Sequence, residues 1–278
     1  MPGTCFARSR TAVWEARRHA PPRTPTIVTV GMPGTRSART RIAQARHATP
    51  TATLAETVID GGWWLGYDAV MLIAVGVTVV ATGVLVAGHA GHRRGWIVGS
   101  KPVASVGFVA LGLLRFEAGS PLDPWLLAAL LLGFAGDQLL LGRRTFTAGL
   151  AAFLLGHLSY LRGWTLVASP AGWSLVPLVP LAVVAVGALL WLWPHLGRLR
   201  VPVVLYVGAI TLMTWGAWGA SLAGALPLRC GVGATLFLLS DLTVARERFV
   251  HESVANRALG LPCYYAGQLL LASCLGLA

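Results

Sequence analysis

Eight apolar runs follow one another along the chain, at about 66–88, 97–117, 124–142, 146–168, 172–193, 201–223, 226–245 and 259–277. Each approaches the roughly 20 residues that an α-helix needs to cross a bilayer. Polar punctuation separates them, such as Gly91, His92, Arg93 and Arg94 before the second run and Gly142, Arg143, Arg144 and Thr145 between the third and fourth. Gly149, Ala152 and Gly156 recur at helical spacing inside one run, which lets helix backbones approach closely. The pattern predicts an all-α membrane protein: a bundle of eight transmembrane helices over residues 61–278, with no room for a soluble catalytic domain.

Composition agrees. Hydrophobic residues make up 55% of the chain and charged residues 12%, with a mean hydropathy of +0.68, whereas a soluble domain carries about 25% charged residues. Any chemistry must therefore come from polar groups within or at the edge of the bundle. The net charge of +12 is not a nucleic-acid signature, because beyond residue 61 the charges sit between the apolar runs. Loops one, three, five and seven carry Arg93 and Arg94, Arg143 and Arg144, Arg198 and Arg200, then Arg246, Arg248 and Arg257. The even loops carry at most Arg115, Arg162 and Arg229. The positive-inside rule places the odd loops in the cytoplasm and both termini outside, in a multi-pass protein of the cell membrane.

Residues 1–60 hold nine arginines among Thr, Ala and Pro. Without apolar periodicity they read as a disordered basic arm, and without a hydrophobic core segment they are not a signal peptide. An organellar transit peptide and a start codon assigned upstream of the true one, with Met32 as a candidate start, both fit. Cys5, Cys230, Cys263 and Cys274 show no CxxC or metal spacing, so they read as small apolar packers.

Ionisable residues inside spans are costly in hydrocarbon and so mark candidate functional groups. Lys101 opens the second span, Asp137 lies late in the third, His157 midway in the fourth and Asp241 late in the seventh. Asp68 and Glu117, at span ends near the opposite face, read as interfacial. At 1.5 Å per residue, Lys101, Asp137 and Asp241 each lie roughly 8–10 Å inside the cytoplasmic edge. Three helices thus put rare charges at one level. A structural salt bridge between Lys101 and one aspartate is the plainer explanation. It leaves the second aspartate over, and two carboxylates at one depth suggest a pair sharing a proton, a neutral acid beside an anionic base. Ser105 lies one turn from Lys101; Tyr264, Tyr265 and Gln268 fall on the last span, and His157 and Tyr160 share a face of the fourth. Too few ligands converge for a metal site. No cofactor is expected, and no obligate protein partner.

The runs SKPVASVGFVALGLL, GDQLLLGRRTFTAGLAAFLLGHLSYL, GATLFLLSDLTVARERF and CYYAGQLLLAS resemble the signature segments of the YhhN-like lysoplasmalogenase family, in order and on the same helices, and the match covers residues 66–278. The resemblance implies an eight-span membrane hydrolase that cleaves the vinyl-ether bond of lysoplasmalogens to a fatty aldehyde and a glycerophospho-base. It further implies that Asp137 and Asp241 are the catalytic carboxylates, with Lys101, His157, Tyr160, Tyr264, Tyr265 and Gln268 in or around the substrate site. Such chemistry suits the residues, since a vinyl ether is cleaved by protonating its alkene carbon and stabilising the resulting oxocarbenium ion with an anion. Lys101 or the loop arginines would hold the phosphate, and the alkenyl chain would run down into the bundle. A lipid scramblase or small-molecule transporter using the same polar cluster is the main alternative; a hydrolase of another ether or ester lipid is a third. An intramembrane aspartyl protease shares a Gly-Asp motif, but its Pro-Ala-Leu loop is absent.

Overall fold

The computed structural model describes residues 69–142 and 144–277. The basic arm at 1–60, Asp68 and Arg143 lie outside the described residues. Among these there are eight α-helices and no strand: α1 Ala69–Ala90, α2 Arg94–Arg115, α3 Asp123–Leu139, α4 Phe146–Val167, α5 Leu178–Leu192, α6 Arg200–Leu222, α7 Leu228–Phe249 and α8 Val254–Ala272. Helix is the form that satisfies every backbone N–H and C=O within one segment, as hydrocarbon requires. This is an all-α membrane protein.

Five of the helices are long and apolar enough to cross a membrane: α1, α2, α5 with the turn that extends it to His195, α6 with the turn that precedes it, and α7. The other three are shorter or more polar. α3 has 17 residues, while α4 and α8 carry His157, Tyr160, Tyr264, Tyr265 and Gln268 on buried faces, so their mean hydropathy falls because they carry polar groups inward. The fifth helix begins at Leu178 rather than near 172, since Pro170 opens a 3-10 turn and Pro177 stands immediately before the helix; a proline has no N–H to donate and suits a helix start.

Seven helices close a ring, in which α1 packs on α2, α2 on α3, α3 on α4, α4 on α6, α6 on α7, α7 on α8, and α8 back on α1. α8 also touches α2 and α3, so it reaches into the middle of the ring; α5 stands outside it, resting on α6 and touching α7. The core is aromatic at its centre, where Phe153, Phe237 and Tyr264 meet edge to face with ring centroids 5.3–6.0 Å apart, a geometry favoured by the ring quadrupoles. Gly136 makes room for this centre, since a Cβ there would stand 2.7 Å from Phe153.

The end opposite the odd loops is tied by two features. Buried Asp123 accepts hydrogen bonds from the Glu117 and Gly276 amides, both at 2.8 Å, and from Ser120 Oγ at 2.9 Å, which joins the α2–α3 loop to the C-terminal segment. Nearby, Cys230 on α7 and Cys274 after α8 form a disulfide across a separation of 44 residues. This corrects the reading of these two cysteines as packers: nothing in their spacing announces a bridge, because partners are chosen by the packing of α7 on α8. Cys263 remains free. Glu117 is exposed, as expected of an interfacial residue.

Candidate active site

Lys101, two turns into α2, extends its ammonium to Asp137 near the end of α3, with Nζ 3.3 Å from Oδ1. Ser105, one turn further along α2, donates to Asp137 Oδ2 at 2.7 Å. Both carboxylate oxygens are thus occupied by donors, which a carboxylate buried to 4% exposure requires. Tyr265 lies beyond Ser105, 3.4 Å from its Oγ and 3.4 Å from the Lys101 carbonyl, to which its hydroxyl donates. Tyr264 donates to the Gly133 carbonyl at 3.4 Å. Gln268 donates to the Tyr264 hydroxyl at 3.2 Å and accepts from Tyr160 at 2.9 Å.

Asp241 has a different set of partners. Tyr206, on α6, donates to its Oδ2 at 2.7 Å, and His157 Nε2 lies 3.2 Å from the same oxygen and 3.1 Å from the Tyr206 hydroxyl. Oδ1 accepts no hydrogen bond among the described residues. The two carboxylates are therefore organised separately: no hydrogen bond joins them among the described residues.

What they share is a cavity of about 680 Å³, within the roughly 300–1,000 Å³ typical of ligand sites. All eight helices contribute to its wall, and Lys101, Asp137, Asp241, Tyr206 and Tyr264 are among its lining residues. The remaining residues singled out in the sequence stand behind that wall. His157, Tyr160 and Gln268 are fully buried and Tyr265 nearly so; His157 supports Asp241, Tyr265 supports Ser105, and the Tyr160–Gln268 bond supports Tyr264. Tyr206 escaped sequence reading, because a lone tyrosine in the apolar run VLYVG looks like packing. The usable signal was its hydroxyl, which needs a partner when buried.

The mouth of the cavity lies at the end bearing the odd loops. Arg257 binds Glu247 at 2.5 Å and approaches His89 Nδ1 at 3.0 Å, tying the start of α8 to the ends of α7 and α1. Glu247 also accepts from the Ser253 amide and from Asn256, at 2.9 and 3.0 Å. Arg248 lies over the Phe146 ring, 4.2 Å from its centroid, and makes no ion pair among the described residues. Among these residues no group of His, Cys, Asp and Glu is arranged to hold a metal ion.

The YhhN family model matches residues 96–275, which contain every residue of this site except His89. A protein of Mycobacterium bovis named lysoplasmalogenase is 31% identical over 225 residues, covering 76% of this chain and 81% of its own length. Lysoplasmalogenase TMEM86B of Sus scrofa is 33% identical over 178 residues, 64% of this chain and 73% of the relative. The uncharacterized membrane protein YhhN of Escherichia coli is 31% identical over 156 residues, 52% of this chain and 71% of the relative. No solved structure matches. With the family match extending over more than half of its length, from the helix that carries Lys101 to the end of α8, this chain belongs to the YhhN family.

Proposed function

We propose that this protein is a membrane hydrolase that cleaves the vinyl-ether bond of lysoplasmalogens, in the cell membrane and with its site open to the cytoplasm. The observation that carries this reading is one apolar cavity that holds, below a mouth bearing Arg248, Arg257, Glu247 and Glu252, the carboxylates of Asp137 and Asp241 with different hydrogen-bond partners. Relatives named lysoplasmalogenase support the same substrate class.

The partner sets suggest a division of labour. Asp137, with both oxygens occupied by Lys101 and Ser105, acts as the fixed anion. Asp241, whose Oδ1 remains open, carries the proton. Asp241 delivers that proton to the alkene carbon, and the oxocarbenium ion that forms is stabilised by Asp137, an electrostatic contribution set in place before reaction. Water adds to the oxocarbenium carbon and returns a proton to Asp241, as a carboxylate does in glycoside hydrolysis. The hemiacetal then transfers its hydroxyl proton to the glycerol oxygen and collapses to aldehyde and alcohol. His157 and Tyr206 hold Oδ2 and so orient the open oxygen.

The test is a product assay on purified protein, with alkenyl and acyl lysolipids side by side. Release of fatty aldehyde from the alkenyl lipid is the expected result. Fatty acid from the acyl lipid alone would make the protein an esterase, and no product from either would favour a scramblase or transporter.

A further inference from the structure

We propose that the seam between α4 and α5 is a lateral portal through which the hydrocarbon tail of a single-chain lipid passes between the bilayer and the carboxylates of Asp137 and Asp241, with its head group at the mouth beside Arg248. The proposal rests on the lysolipid reading above and replaces the expectation that the tail runs down into the bundle.

Depth excludes the downward path. Along α7 the cavity wall runs from Phe249 to Leu238 and along α6 it reaches Thr211, five residues or about 8 Å past Tyr206 at 1.5 Å per residue. Asp241 lies about 10 Å below Arg248 but only about 5 Å above Leu238 on the same measure. Below it stand the packed rings of Phe153, Phe237 and Tyr264. A head group fits between the mouth and the carboxylates. A tail spans about 15 Å, half of a hydrocarbon layer about 30 Å thick, and finds no such length beneath them.

A sideways path exists. α4 and α5 both line the cavity, yet α5 packs on α6 and α7 and makes no comparable packing on α4. The wall there is built from Ala151 and Leu154 on α4 and Val184 and Ala185 on α5. Ala151 is exposed, Val184 is 39% exposed, and Leu154 and Ala185 are half-buried. Residues that face both the cavity and the outside border an opening. These are all apolar, so hydrocarbon can cross the seam without desolvating a polar group, whereas a polar ligand could not. At the other end, Arg248 supplies a cation outside any ion pair among the described residues, matched to the phosphate of the head group.

The portal can be blocked after folding. In a Cys5→Ser, Cys263→Ala background, Ala185→Cys is purified and then labelled with a bulky maleimide; Leu190→Cys, on the same helix and 71% exposed but not lining the cavity, is the control. Labelling at 185 should lower kcat/KM for a long-chain alkenyl lysolipid about tenfold or more while sparing a short-chain one. Labelling at 190 should alter neither. Equal loss on both lipids, or no loss on either, overturns the portal and leaves the hydrolase standing; an unlabelled protein that cleaves neither lipid overturns both. A lysolipid with a photoreactive diazirine in mid-tail gives an independent reading: insertion at Ala151, Leu154, Val184 or Ala185 supports the portal, and insertion at Phe237 or Leu238 overturns it.

Discussion

His157 Nε2 lies 3.2 Å from Asp241 Oδ2, while His157 Nδ1, fully buried, has no hydrogen-bond partner among the described residues. A proton on Nε2 donates to the carboxylate and leaves Nδ1 as a bare acceptor; the other tautomer would bury an unpartnered N–H and face Asp241 with a lone pair. The imidazole therefore holds one oxygen of Asp241 in place from inside the core, as Tyr206 does from α6. Removing either donor should lower kcat more than it changes KM, since His157 stands behind the cavity wall and Tyr206, which lines it, directs its hydroxyl to Asp241. Leaving a buried polar group without its partner costs about 1–3 kcal/mol, so Tyr206→Phe and His157→Ala should each lose roughly ten- to a hundredfold in kcat. The double variant should lose less than the product of the two, because both act on one oxygen. Steady-state kinetics on the three variants decides this; an effect confined to KM would make these residues part of the binding wall.

Asp137→Asn and Asp241→Asn should each reduce turnover by at least about a hundredfold, the scale of a lost acid or stabilising anion, with the detergent-extracted protein still monodisperse. Retained turnover in either variant would remove that carboxylate from the mechanism.

Lys101→Met strands a buried carboxylate, and breaking a buried pair from one side costs about 3–5 kcal/mol. Thermal unfolding should show a marked loss for Lys101→Met and recovery when Asp137→Leu is added, while turnover stays lost in both. Recovery of turnover with stability would make the pair purely structural.

Turnover of a lysoplasmalogen in heavy water should place deuterium on the carbon next to the new aldehyde carbonyl, because that carbon receives the acid's proton. In water enriched in heavy oxygen the aldehyde should carry the label, since water attacks the vinyl-ether carbon and the glycerol oxygen leaves with the head group. Mass spectrometry at early times, before exchange at the aldehyde, reads both; label in the glycerol product would place cleavage on the other side of the oxygen.

Cys230→Ala, Cys274→Ala and the double variant should be destabilised equally, by about 2–4 kcal/mol, since each removes the same bridge. Thermal unfolding with and without reductant measures it: reductant should shift the parent and leave all three variants unmoved. The bridge lies at the end away from the odd loops, so it should be formed in an oxidising compartment. Cysteines introduced at 119 and 144 and exposed to an impermeant label on intact cells should accordingly react at 119 and not at 144.

Much of this protein could be read from one dimension. The apolar runs place seven of the eight helices to within about five residues, because hydrocarbon demands long continuous apolar helices and permits little else. The same cost made Lys101, Asp137, His157 and Asp241 conspicuous: a charge or imidazole in an apolar run stands out against its neighbours. Counting charges by depth even placed three of them at one level.

Depth is a coordinate along each helix, however, and which residues meet depends on rotation about the helix axes and on which helices are neighbours. The packing of α2 on α3 gave Lys101 to Asp137, and that of α4, α6 and α7 gave His157 and Tyr206 to Asp241. The single pair sharing a proton, suggested by equal depth, became two separately partnered carboxylates on one cavity. Tyr206, the Cys230–Cys274 bridge and the seam between α4 and α5 were invisible for the same reason, since each exists only between helices far apart in the chain. Hydrophobicity alone determined that the chain enters the membrane as helices; side-chain packing between those helices decided which polar groups face one another and where the cavity opens.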